Sequence, residues 1–291
     1  VALTGLAAFS LIAMLAVILG SIVVQGAPGL SLGFLLNAPS QGMRGGGIGP
    51  AIFGTFALVV LMTIAVVPLG VLTAIYLFEY ARPDSLLARS VNIAVSNLAG
   101  VPSIVFGLFG LGFFVQFIGR GVDRVVYGGD LVFGQPAILW AALTLALLTL
   151  PVVIVTTGEA LRAVPVNSRE ASLALGATKW QTIWKVVLPQ STAGVLTGAI
   201  LAVSRGAGEV APIMFTGAAY FLPTLPTKLN DQFMELGYHI YVMSTQSPDV
   251  EGTKPILFST VLVLLVLTFV LNVAAIGIRA RFRATIRPSE G

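Results

Sequence analysis

Two opposite charges four residues apart, Arg205 and Glu209, stand in an otherwise uncharged stretch, Ser204-Arg-Gly-Ala-Gly-Glu-Val-Ala-Pro212. On a helix that spacing puts them on one face. An ionised side chain at membrane depth costs at least about 2.5–3.5 kcal/mol on insertion scales, so it turns inward and marks a pathway. Arginine also presents a planar fork of donors that stays charged, which suits a tetrahedral oxyanion. The competing use of the pair is internal: the two charges satisfy each other and join helices. The chemistry expected here is attraction and release of an anion, with Ser204 beside the arginine.

Other chemistry is hard to place. No Gly-Lys dipeptide occurs, so there is no Walker-type loop to cradle phosphates. A Gly-x-Ser-x-Gly elbow, a His-Glu-x-x-His helix and a paired-carboxylate site are missing as well. Cysteine is absent and His239 is the only histidine, too little for a metal site, so it is expected to be solvated or packed. Energy for active transport would have to come from a separate ATPase.

The elements that hold these residues read as membrane spans. Hydrophobic residues make up 56% and charged residues only 10% of the chain, against about 25% charged in globular proteins, and the mean hydropathy is +0.96. Apolar runs of bilayer length predict six spans, at about 1–24, 52–78, 94–118, 136–157, 190–219 (interrupted by Arg205 and Glu209) and 256–278, in one transmembrane domain over 1–291. The first run lacks a basic n-region and an upstream methionine, so a retained span is expected rather than a signal peptide. Pro102-Ser103 sits inside the third span and is expected to make a pathway-lining kink, while Pro68, Pro151 and Pro212 interrupt the second, fourth and fifth.

Basic residues sort by side. One set of loops carries Arg82, Arg89, Arg162, Arg169, Lys179, Lys185, Arg279, Arg281, Arg283 and Arg287; the other carries Arg44, Arg120, Arg124, Lys228 and Lys254. The positive-inside rule puts both termini and the 159–189 loop in the cytoplasm. It also accounts for the pI near 9.6 without a nucleic-acid partner. The opposite loop, 221–254, repeats Leu229, Phe233, Leu236, Ile240 and Met243 at helical spacing, which predicts an amphipathic helix on the external surface, a gate or a docking surface.

Within 159–189, Glu170–Pro189 (EASLALGATKWQTIWKVVLP) predicts two short helices. Asn167 with Glu170, and Thr178 with Gln181, have capping-box spacing. Gly176 fits the left-handed turn between the helices. Trp180, Ile183, Trp184, Val187 and Leu188 are expected on one face of the second. A rigid hairpin with an aromatic ridge is suited to pushing on a partner.

The pattern Glu170-Ala171, Gly176, Ile183 and Leu188-Pro189 resembles the coupling loop of ABC importer membrane subunits, with Ser172 in place of a second alanine. Ser-Arg-x-x-Gly-Glu-x-Ala-Pro at 204–212 and Gly-Val-Pro-Ser-Ile-Val-Phe-Gly at 100–107 resemble the permeases of phosphate-specific ABC importers. Phe221-Leu-Pro-Thr and the arginine-rich tail are closer to the A-type permease than to its C-type partner. The resemblance implies an all-α, six-span, type I (MetI-like) permease fold in a bacterial cytoplasmic membrane. It also implies a homologous C-type permease, a cytoplasmic ATPase dimer that binds ATP and Mg, an external phosphate-binding protein, and no cofactor in this chain. A sulfate or molybdate permease, or a proton-coupled carrier using Glu209, remains the alternative.

Overall fold

The computed structural model describes residues 2–40, 45–82, 85–247 and 249–286. Arg44 and Arg287 of the basic-residue count lie outside them, and so does the Arg283 side chain. The chain is all-α. It runs α1 (Ala2–Gly26), α2 (Leu32–Leu36), a two-residue β-ladder (Pro39–Ser40 with Gly45–Gly46), α3 (Gly49–Ile75), α4 (Leu86–Gly100), α5 (Ser103–Phe109), α6 (Arg120–Val126) and α7 (Ile138–Arg162). The second half holds α8 (Val166–Ala174), α9 (Lys179–Thr182), α10 (Leu188–Gly206), α11 (Ile213–Thr216), α12 (Leu236–Thr245) and α13 (Val250–Ile286).

Three π-helical stretches join these helices: Tyr76–Tyr80 extends α3, Gly110–Gly119 links α5 to α6, and Ile183–Val187 links α9 to α10. With them, six helical segments among the described residues are long and apolar enough to cross a membrane. The threonines of these segments explain how polar side chains are tolerated there. Thr63, Thr73, Thr144 and Thr156 each donate to the carbonyl four residues back, so these four hydroxyls are satisfied within their own helices.

The core lies where α3, α7 and α10 pack side by side. Leu58, Met62 and Val66 meet Ala142, Leu145, Val153 and Ala202, with Ile213 and Phe233 closing one end. A second cluster, Ala74, Leu77, Ala88, Val95, Ile154, Leu161, Ile183 and Val187, closes the end that carries the α8–α9 hairpin. By contrast, α1 packs chiefly on α13 and leaves its apolar surface exposed, as lipid contact requires.

Three expected elements take a different form. The third span is not a kinked rod: Val101 and Pro102 are extended, and they separate α4 from α5 completely. Pro102 lacks an N–H and forces the residue before it out of helical geometry, so the helix stops and restarts at Ser103. The fifth span stops at Gly206, short of the expected 219, and resumes only as the four residues of α11. Finally, α12 starts only at Leu236, so Leu229 and Phe233 lie outside it. Glu235 and His239, expected on its polar side, are buried along with Phe233, Met234, Leu236, Val242 and Met243, while Tyr241, Ser244 and Thr245 stay exposed.

Candidate functional site

The charged pair sits at the break in the fifth span. Arg205 occupies the last turn of α10, and Glu209 lies beyond the helix end, so the pair does not share a helix face as its spacing predicts. The chain turns back through Gly208 and Glu209, whose amides donate to Arg205 and Gly206 at 3.4 Å, and brings the charges together. Arg205 Nε and Glu209 Oε1 are 3.5 Å apart, with the arginine side chain 41% exposed and the glutamate 20%. That is a loose, single-point contact. Among the described residues the two terminal guanidinium nitrogens have no hydrogen-bond partner, so the fork remains available.

Around the pair the packing is close. Gly206 lies against the Met62 thioether of α3. Ser204 accepts a 3.3 Å hydrogen bond from Asn272 of α13, which joins the last turn of α10 to that helix. The Pro102-Ser103 motif also reaches this region. A side chain at Gly107, one turn past Ser103, would meet the Ala211 carbonyl at 2.9 Å and Pro212 Cα at 3.0 Å. So α5 docks on the residues that follow Glu209, and the absence of a β-carbon at Gly107 permits the approach. Pro102 is exposed and Ser103 partly so; among the described residues no hydrogen bond joins either one to Arg205.

The hairpin at the other end is largely as its capping residues foretell. Thr178 accepts from Gln181 N–H while the Gln181 side chain accepts from Thr178 N–H, a complete capping box. Gly176 has φ +82°. Its amide donates to Leu173 and that of Ala177 to Ser172, the paired closure of a Schellman turn. The first cap differs. Pro165 is the N-cap of α8, Asn167 lies inside the helix, and Glu170 and Ala171 are exposed with no capping role. Proline presets the backbone at the entry, which leaves Asn167 nothing to cap.

The aromatic face divides in two. Ile183 and Val187 are buried in the body, and Leu188 and Pro189 are partly covered, whereas Trp180 and Trp184 project outward with ring centroids 5.2 Å apart. The π turn at 183–187 links α9 to α10 at this point. It ends two residues ahead of Pro189, whose ring and missing N–H would clash in a regular helix interior. Leu175, 90% exposed at the turn, belongs to the projecting group; an apolar residue ahead of the glycine was a usable sign. Ser172 shares a 2.9 Å hydrogen bond with Thr182, so it pins one helix of the hairpin to the other.

Two buried carboxylates escaped the sequence reading. Asp123 accepts from the amides of Val132, Phe133 and Gly134 and folds the 128–136 loop over the end of the third span. Glu235 caps α12, accepting from Gly237 and Tyr238 N–H at 2.8 and 2.6 Å, beside Thr55 of α3. Burial pushes its pKa up to about 7 despite those bonds. His239, one turn on, is buried with Nδ1 unpartnered, and burial lowers its pKa to about 4. The spacing Glu-x-x-x-His was readable in sequence, but its burial was not.

Six apolar helices, a broken fifth one with an exposed guanidinium, and a hairpin with an apolar tip at the far end of the same bundle fit a multi-pass membrane protein. The chain belongs to the family described as the binding-protein-dependent transport system inner membrane component, whose model matches residues 66–287. It is 34% identical over 284 residues to the probable ABC transporter permease protein YqgI of Bacillus subtilis, covering 93% of this chain and 90% of that one. It is 40% identical over 201 residues to the phosphate transport system permease protein PstA of Yersinia pestis (68% of this chain, 62% of that one). With the protein of the same name in Haemophilus influenzae it shares 35% over 225 residues (77% and 73%).

Among solved structures, the fold is similar to a chain of the bacterial alginate ABC transporter in complex with alginate pentasaccharide-bound periplasmic protein. The TM-score is 0.67, with 14% identity and coverage of 94% of this chain and 92% of that one. It is also similar to a chain of the inward-facing MetNI methionine ABC transporter, with TM-score 0.60, 20% identity, and coverage of 81% and 95%. The fold is that of the type I ABC importer permeases.

Proposed function

We propose that this chain is one of two permease subunits of an ATP-driven inorganic phosphate importer, with Arg205 as its anion-attracting group. The observation that carries the reading is the unsaturated guanidinium of Arg205 at the break in the fifth span. The same break carries the motif that resembles phosphate permeases, and named phosphate permeases are relatives of the chain. Phosphate sheds water on entering and takes the terminal donors of Arg205, while Ser204 and the Pro102-Ser103 segment border the route. Glu209 then reclaims the arginine, which keeps binding weak enough for release, the constraint any conducting pathway meets.

ATP and Mg are held by a separate ATPase dimer. The hairpin docks on it through Leu175, Trp180 and Trp184, with Glu170 and Ala171 on the exposed face of α8 and Gly176 setting the turn. Ile183, Leu188 and Pro189 anchor the hairpin to the body. A homologous C-type permease completes the pathway, and an external phosphate-binding protein delivers substrate. The termini and hairpin face the cytoplasm.

The test is co-expression with a partner permease, ATPase and binding protein, then reconstitution in liposomes. Uptake of labelled phosphate, sulfate and molybdate is compared with and without ATP. ATP-dependent phosphate uptake supports the reading. Preference for sulfate or molybdate moves the chain to another oxyanion, and ATP-independent uptake driven by a proton gradient makes it a carrier.

A further inference from the structure

The π turn Tyr76–Tyr80, which ends the second span, is held by a cation from each of three successive parts of the 159–189 loop. Arg162, in the last turn of α7, places its guanidinium 4.4 Å from the centroid of the Phe78 ring. Arg169 of α8 pairs with Glu79 at 2.6 Å and donates with its other terminal nitrogen to the Leu161 carbonyl, also at 2.6 Å. Lys179, the first residue of α9, sits 5.1 Å from the Tyr80 ring centroid. Three consecutive side chains, 78, 79 and 80, therefore meet three cations in chain order.

The contacts are built rather than incidental. The Glu79 side chain is 8% exposed and that of Arg169 22%, so the ion pair is shielded from solvent. The Phe78 ring lies directly on Gly158, where any β-carbon would overlap it, one helical turn before Arg162. Glycine at 158 and arginine at 162 form a slot for the ring, and the cation over its face adds electrostatic attraction.

We propose that Phe78, Glu79 and Tyr80 form a clamp through which movement of the 159–189 hairpin is passed to the second span, with Glu79–Arg169 as its central positioning pair. This rests on the importer reading above. A π turn differs from an α turn by one residue of register and commonly marks functional sites, so the gripped segment is the candidate two-state element. Beyond it α3 continues as one helix through Pro68 to Met62, which lies against Gly206 beside Arg205. A displacement of the hairpin thus has a packed route to the anion site.

The complex reconstituted for the functional test also tests the clamp, with phosphate imported per ATP hydrolysed as the readout. Glu79→Gln and Arg169→Gln should still assemble with the ATPase, and the imported-per-hydrolysed ratio should fall about fivefold or more. The exchange Glu79→Arg with Arg169→Glu should recover much of that loss, which a role in folding alone would not produce. A normal ratio in either single variant, or an exchange no better than the singles, overturns the clamp. If the single variants fail to assemble, Lys179→Gln and Tyr80→Leu, at the exposed rim, should lower the ratio in an assembled complex; normal ratios there overturn it too. If the unmodified complex shows no ATP-driven uptake, the importer reading itself fails and takes the clamp with it.

Discussion

Arg205 meets Glu209 through one nitrogen at 3.5 Å, although four-residue spacing on a continuous helix would allow a closer pairing. Because α10 ends between them, the arginine keeps terminal donors for another acceptor, and this separates the pathway role from simple helix joining. Hydrogen bonds to charged groups are worth about 1.5–3 kcal/mol each, so Arg205→Gln should lower phosphate uptake by roughly ten- to a hundredfold, at 1.4 kcal/mol per tenfold. ATPase association should survive. Arg205→Lys should rescue poorly, because it retains the charge without the bidentate fork. Glu209→Gln should slow turnover by leaving the anion held. Labelled phosphate uptake against pulled-down ATPase measures all three, and normal uptake by Arg205→Gln would return the pair to a structural role. The residue types and their spacing were legible in sequence. The helix break was only half legible, since Pro212 announced an interruption but not that it begins at Gly206.

Elements were legible where local chemistry decides them. Thr178, Gln181 and Gly176 form the cap and turn that their spacing implies, because caps depend on residues within one turn. Gly176 has φ +82° and open space where a β-carbon would stand, so Gly176→Val carries only a backbone cost of about 1–2 kcal/mol. Membrane insertion should be unchanged while ATP-driven uptake falls; equal uptake at equal membrane abundance would remove the hinge role. The external loop was misread because its spacing fits any amphipathic helix, whereas tertiary packing on α3 decided which face was covered. That packing produces two opposed titrations in α12. Glu235, raised to about 7 by burial, favours the folded state at low pH and loses that contribution as pH rises through about 7. His239, lowered to about 4 by burial, stabilises above its ordinary value of 6.5 and loses that contribution as pH falls toward 4. The two should largely cancel between pH 4.5 and 6.5. Glu235→Gln should expose a thermal midpoint in detergent that climbs with pH across that window, and His239→Gln one that declines with pH up to about 7. Matching flat profiles in both variants would count against the burial of these groups in the working protein.

Across the whole molecule, the hairpin and the 221–254 loop are separated by one crossing. The candidate span Lys179–Gly206 begins inside the hairpin, and its part beyond Pro189 extends about 25 Å at about 1.5 Å per residue, close to the roughly 30 Å of bilayer hydrocarbon. The two loops are therefore expected on opposite sides. The charge asymmetry predicts a cytoplasmic hairpin, since Arg162, Arg169, Lys179 and Lys185 cluster on its side. The absence of cysteine makes this directly measurable, because a single introduced thiol is the only one in the chain. Leu175→Cys would stand at the 90% exposed hairpin tip and Leu229→Cys at a half-exposed position of the opposite loop. In intact cells whose outer barrier admits the reagent, a membrane-impermeant maleimide should label Leu229→Cys at once. It should label Leu175→Cys only after permeabilisation or in inverted vesicles. The reverse pattern would put the hairpin outside, where no cytoplasmic ATPase could reach Trp180 and Trp184. Labelling of both in intact cells would show that the broken fifth helix does not complete a crossing, which would undo the placement of Arg205 at membrane depth along with the topology.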